Sequence, residues 1–257
     1  MKENSNNRIK VMEILNQSQY NDEVIDQLDI SDLDLTFSDL SEVMARRVMA
    51  KRVMLRASSL MRAAFYDCDF ELADFRSCNL EEINIADCRF GEADFSKANM
   101  KYAKINISSC FETCFDEVDF SYGELVGTIL NHATFRHANL SGINAEQADC
   151  TGTNFSNANL TEGNFEKAYL EDANLSEVNA RNTDFTDADL TGATLLNGDL
   201  TGATLLNGDL TGATLLNGDL TGADFTGAKL DNVVWTGAKL EGAKFDENVK
   251  EQILKMI

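Results

Sequence analysis

The chain has no proline, two histidines, one tryptophan, and 22 basic residues against 43 acidic ones. Without proline every backbone N–H can donate, as a ladder of paired strands requires and as an internal proline would prevent. The shortage of lysine and arginine leaves a net charge of −21. Such a surface disfavours direct contact with nucleic acid or membrane phosphates and suits a basic protein surface, while also serving solubility. No apolar run is long enough to span a membrane, and the opening MKENSNNR lacks the apolar stretch of a secretory signal. A reducing cytoplasm is the expected compartment.

Chemistry is equally sparse. The six cysteines form no CxxC pair and no cluster with histidine, so no metal is expected. His132 and His137 have no recognisable nucleophile or orienting group, and read as surface residues. No P-loop, nucleophile elbow or paired-carboxylate pocket can be recognised. The expectation is no catalytic residue, no cofactor and no enzyme.

What the chain does have is a beat of five. Residues 191–220 read TGATLLNGDL three times without a change. Call the central apolar residue of each five position i; it falls on every residue number divisible by five from Ile30 to Phe245, giving 44 consecutive fives. None of these sites, and none at i−2, carries a charge, although 25% of the chain is charged. Five matches neither a helical nor a strand period. It is the mark of a repeat whose units bury their apolar side only by stacking. With i−2 and i inward, the chain turns a corner every five residues, and four sides close a coil of twenty. The expected fold is an all-β solenoid, a quadrilateral β-helix of about 11 coils, roughly 53 Å long at strand spacing. Modulo twenty, one inner column reads Phe75, Phe95, Phe115, Phe135, Phe155, Leu175, Leu195, Leu215 and Trp235. Such a core is continuous and dry. Cys68, Cys78 and Cys88 at i−2, and Cys110 and Cys150 at i, should be buried thiols, with Cys114 outward.

The units ADFRS (73–77), ANLSG (138–142), ANLTE (158–162) and ADLTG (188–192) resemble the pentapeptide-repeat family, A(D/N)LXX, over most of the chain. The resemblance implies a right-handed β-helix. Residues 28–245 are expected to form it, with degenerate coils over 28–62. Residues 1–27 read as a short helical cap, with Asn6 or Asn7 starting a helix whose stripe is Ile9, Met12 and Leu15. A second short segment near 22–28 leads into the coils. Residues 246–257 read as a C-terminal capping helix with Val249, Ile253, Leu254 and Ile257 on one stripe, suited also to a homodimer through that end.

Two outward features are candidate binding sites. One is the set of acids Asp69, Asp74, Asp94, Asp119 and Glu124, although Asp at i−1 also suits a turn role. The other is a basic belt, Arg46, Arg47, Lys51, Arg52 and Arg56, on coils if the phase holds or on an amphipathic helix over 41–63 if it does not. Leu196, Leu206 and Leu216 are expected to be exposed on flat sides. Some acidic members of the family imitate duplex DNA and bind type II topoisomerases such as gyrase. The resemblance therefore implies a non-enzymatic protein-interaction scaffold, with a DNA mimic as its sharpest form. The alternative is a secreted bacterial effector, or a fragment of one, addressed by residues 1–60. Identity as perfect as the three tens points to recent duplication or to design, and the residues do not separate the two.

Overall fold

The computed structural model describes residues 2–21 and 23–253. In chain order its elements are α1 (Lys2–Asn21), β1 (Ile25–Asp26), β2 (Met44–Arg46), β3 (Ala64–Tyr66), β4 (Asn84–Ala86), β5 (Lys104–Asn106) and α2 (Glu247–Ile253). The five strands form one parallel sheet in sequential order, each residue facing the one twenty positions on, as in Phe65 opposite Ile85. Elsewhere pairing is reduced to single bridges at i−1, again twenty apart, in four ladders. These run through Asp29 and Met49, Asp34 and Met54, Asp39 and Ser59, and, continuing the sheet, Lys104 and Glu124. The molecule is a four-sided β-helix.

The beat of five produces this coil through four backbone bonds per side, one of them from the corner residue at i+2, as when Gly192 N–H donates to Thr211 O (2.9 Å) on the next coil. The N–H of Leu195 donates to Thr214 O (2.7 Å) on the next coil, and that of Thr194 to Ala173 O (2.9 Å) on the previous one. The N–H of Ala193 closes the corner on Leu190 O (3.0 Å). That corner is a four-residue turn whose third residue, at i+2, has left-handed φ, as a type II turn demands. Gly192 (φ 69°), Asn197 (φ 55°) and Asp187 (φ 57°) show it. Glycine, asparagine and aspartate tolerate that region best.

Inside, Phe75, Phe95, Phe115, Phe135 and Phe155 stack one per coil, with successive centroids 4.5, 4.9, 4.7 and 5.3 Å apart and planes within 12° of parallel. Strand spacing sets this separation, so identical rings stack and share dispersion contacts along the whole column. The interior void near the N-terminal end is about 10 Å³ and lined by side chains such as Leu15, Ile25, Val43 and Phe65. An apolar space of that size stays dry. Cys68, Cys78, Cys88, Cys110 and Cys150 are buried and Cys114 half-buried, all as free thiols. Burial pushes the Cys78 thiol up to about 12.

The ends differ from the sequence expectation. Helix α1 begins at Lys2, so Asn6 and Asn7 lie inside it and not at its start. Its buried face is Val11, Leu15 and Ser18, with Met12 half-buried and Ile9 54% exposed. The stripe is therefore rotated from Ile9–Met12–Leu15, because positions 11, 15 and 18 lie on the side that covers the first coil. Arg8 Nε donates to Asp34 O (2.7 Å) and Gln19 Nε2 to Ser41 O (2.7 Å), closing first-coil carbonyls that have no preceding coil. The ladder starts at Ile25, paired with Ala45, one five before Ile30. The exposed Glu23 at its i−2 position hid that unit from the pattern. Residues 41–63 lie in the β-helix, with Met44–Arg46 as β2, and form no amphipathic helix. At the other end Ile253 is buried and Val249 packs against the core; Leu254 and Ile257 lie outside the described residues. Leu196, Leu206 and Leu216 are half-buried rather than exposed.

Candidate interaction surface

Positions i−1, i+1 and i+2 make the whole exterior, so any recognition by the coils is written there. Asp or Asn at i−1 has a prior task. Its Oδ1 accepts the N–H two residues on, as Asp94 does from Ser96 (2.9 Å) and Asn154 from Ser156 (3.0 Å). A Ser or Thr at i+1 often adds its hydroxyl to the same oxygen, as Thr211 does to Asp209 at 2.6 Å. The motif fixes each corner locally.

Four of the sequence-predicted acids, Asp69, Asp74, Asp94 and Asp119, are engaged in this way, whereas Glu124 is not, and the five stand on all four sides. Asp69 accepts from Glu71 N–H (3.2 Å) and pairs with Arg89 (2.6 Å) and Lys51 (3.1 Å). Burial raises its carboxyl, but Arg89, the Glu71 N–H and Lys51 together hold it below the usual range. Asp74 accepts from Arg76 N–H and is held low by the Arg76 guanidinium at 2.6 Å. Asp94, bridged to Asp74, lies 3.7 Å from the same arginine. Asp119 binds Ser121 N–H (3.3 Å) and Lys101 (3.3 Å). Glu124 is held low by Lys104 at 2.8 Å. Only Asp74 and Asp94 are brought together.

The basic belt is likewise compensated. Arg46 and Arg47 both bind Asp26, Lys51 binds Glu71 (2.6 Å), and Arg52 forks onto Asp32 with bonds of 2.6 and 2.7 Å. Arg56 has no ion pair among the described residues. Most of these partners sit twenty residues apart, one coil over, as do Arg136 with Asp116, Lys229 with Asp209 (2.8 Å) and Lys244 with Asp224 (3.1 Å). Aligning the chain modulo twenty would have revealed this complementarity; reading the belt as a run along the chain missed it.

Residues 140–198 differ. They hold ten acids against Lys167 and Arg181, and among the described residues only Glu166 of the ten has a cationic partner. Glu162, Glu171 and Glu177 are exposed there and take no part in a corner bond. His132 and His137 are exposed corner residues, His132 packing edge-on to Phe111. Among the described residues no cluster of metal-ligating side chains occurs, and no helix is long and apolar enough to cross a membrane.

Residues 128–205 and 148–225 match the family model "Pentapeptide repeat region", and residues 73–106 and 219–247 match "Pentapeptide repeats (8 copies)". Among solved structures the chain is similar to HetL, a pentapeptide repeat protein involved in heterocyst differentiation regulation from the cyanobacterium Nostoc. Identity is 22%, over 86% of this chain and 91% of that one, with a TM-score of 0.44. It is similar also to QnrB1, a plasmid-mediated fluoroquinolone resistance protein, at 18% identity over 91% and 97% of the two chains and a TM-score of 0.32. Rfr23 from the cyanobacterium Cyanothece matches at 29% identity over 49% of this chain and 61% of that chain, TM-score 0.15. No curated protein matches the chain.

Proposed function

The chain belongs to the pentapeptide-repeat family, and from that premise we propose that it is a non-enzymatic scaffold that binds a basic protein surface, with a type II topoisomerase as the partner class. The observation that carries this reading is the charge density of residues 140–198. Ten acids and two cations leave eight net negative charges. At twenty residues per coil and strand spacing, they occupy about 14 Å of the rod. That is one net charge per roughly 1.8 Å, close to the one per about 1.7 Å of duplex DNA. A protein groove built to hold DNA would meet a similar field, and long-range attraction would steer the encounter.

The test is supercoiling by purified DNA gyrase, with the protein titrated in the presence and absence of a quinolone. Wild type should protect or inhibit at low micromolar concentration. The variant Glu162→Lys/Glu171→Lys/Glu177→Lys inverts three exposed charges without touching a corner bond, and should lose the effect while melting like wild type. Equal activity of the two proteins, or none from either, would sink the topoisomerase reading.

A further inference from the structure

The four sides of the coil are not equivalent. Of the exposed apolar side chains on the β-helix, Met49, Leu72, Phe111, Ile129 and Tyr169 lie on or at the edge of the side carrying the Asp29–Met49–Asp69–Arg89 ladder. Part of that side is hollow. A groove of about 270 Å³ has Leu72 and Phe111 as its walls, Gly91 in its floor, and Glu71, Arg89 and Glu92 at its rim. The hollow exists because Gly91 offers no side chain between Glu71 on one coil and Phe111 on the next. The backbone does not demand glycine there. Its φ is outside the left-handed region, and an added Cβ would meet nothing closer than Glu71 Cγ at 3.8 Å and Phe111 O at 3.9 Å. Ile129, bridged to Ser109 beside the groove, continues the apolar strip. Leu72, Phe111 and Ile129 remain 47%, 43% and 46% exposed.

Charge selects the occupant. Arg89 at the rim is already held by Asp69 at 2.6 Å and faces Glu71 at 3.9 Å. Glu92 and Glu112 stand one coil apart along the same edge, with no ion pair among the described residues. A slot with two apolar walls, Leu72 and Phe111, bordered by the uncompensated carboxylates of Glu92 and Glu112, fits a side chain that is apolar, flanked by cations.

We propose that this groove is the docking site for an extended basic segment of a protein partner, which seats one aromatic or aliphatic side chain between Leu72 and Phe111, over Gly91, with arginine or lysine neighbours against Glu92 and Glu112. The inference rests on the reading of the chain as an acidic protein-binding scaffold and names the anchor point within it. It makes the groove the source of specificity, and the diffuse acidity of residues 140–198 the source of attraction.

The test is fluorescence anisotropy with the full chain and a labelled heptapeptide of alternating arginine and phenylalanine. Its counterparts carry serine for phenylalanine, or glutamate for arginine. Wild type should bind the first peptide saturably, and both counterparts at least tenfold more weakly. Gly91→Leu fills the groove without backbone strain and Phe111→Ser removes a wall; each should weaken binding at least tenfold. Circular dichroism should show Gly91→Leu melting at or above wild type, since adding a side chain at an unstrained glycine restricts the unfolded chain. Unchanged affinity in Gly91→Leu, or no saturable binding by wild type, overturns the proposal. If Gly91→Leu keeps the affinity while Glu162→Lys/Glu171→Lys/Glu177→Lys loses it, the groove is wrong and the acidic-scaffold reading stands.

Discussion

At the residue scale, this fold gives each position one physical duty, and the departures are where stability can be changed with a known sign. Inward hydroxyls at i−2 donate to a carbonyl 23 residues back, as Thr153 does to Leu130 O (2.8 Å) and Ser58 to Leu35 O (2.9 Å). The same reach from Ser38 would end at residue 15, which lies in α1 rather than on a coil, and Ser38 Oγ has no partner among the described residues. Ser38→Ala should therefore be neutral or stabilising by up to about 1 kcal/mol, whereas Ser58→Ala should cost about 1–3 kcal/mol by stranding Leu35 O and the Ser38 N–H. Urea midpoints at constant m decide it, and equal losses in the two variants would refute the account. Ile107 is the mirror case: a β-branched residue, 69% exposed, held at φ 51°. Asparagine accepts that region more easily, so Ile107→Asn should raise stability by about 1 kcal/mol on the same measurement. The inward positions were legible in the sequence because burial against neighbouring units is what keeps one site in every five free of charge over so long a run. The outward ones were not. Asp74 and Asp119 look like recognition residues along the chain, yet they are corner acceptors whose cations lie two residues away in one case and a coil away in the other. The groove at Gly91 depends on the neighbours of a missing side chain twenty residues to either side, which no linear motif displays.

At the element scale, the unit that matters is half a coil. The ends were harder to read than the coils. The stripe on α1 follows which side meets the first coil, and helical spacing alone leaves Ile9 and Val11 as equal candidates. The three identical tens make the repeat logic testable. Deleting residues 211–220 removes two sides, keeps every inward site inward, and turns the rest of the chain by two sides. Lys229 would then face Asp199 and Lys239 would face Asp209, in place of Asp209 and Asp219, while Lys244 keeps Asp224. Because coils contribute additively through nearest neighbours, this ten-residue deletion should fold cooperatively, with a melting temperature within about 5 °C of wild type. Deleting Gly212 alone should do far more damage. It moves every later residue by one position and turns Leu215, Leu220 and Phe225 off their inward sites, as a one-residue slip does in any strand ladder. Thermal melts with a hydrophobic dye compare the two, and a single-residue deletion that melts like wild type would show that the five-residue phase does not hold the rod together.

At the scale of the whole molecule, the carboxylates act on stability in two opposing ways. Lys229 and the Thr211 hydroxyl draw Asp209 down to about 2, and the Thr221 hydroxyl and Lys239 do the same to Asp219. Asp26, Asp32, Asp74, Asp199 and Asp224 are lowered as well, each by a guanidinium, an ammonium or a corner hydroxyl. An unfolded aspartate takes up its proton near pH 3.9. Between that pH and about 2 the unfolded chain therefore binds more protons than the folded one, and stability falls as the pH falls. The contribution is complete above about pH 4 and lost as the pH passes through the folded values. Repulsion within a chain of net charge −21 acts in the other direction, because protonation relieves it. Salt separates the two: at about 0.5 M the screening length drops to a few ångströms, which removes the long-range repulsion and spares the short corner bonds. In low salt, acidification from pH 7 should first hold or slightly raise the melting temperature and then lower it below about pH 4. In high salt the initial rise should vanish and the fall below pH 4 should persist. Melts by circular dichroism across that range read both arms. A fall that disappears with salt would assign acid stability to surface charge alone and deny the corner carboxylates any share in holding the coils.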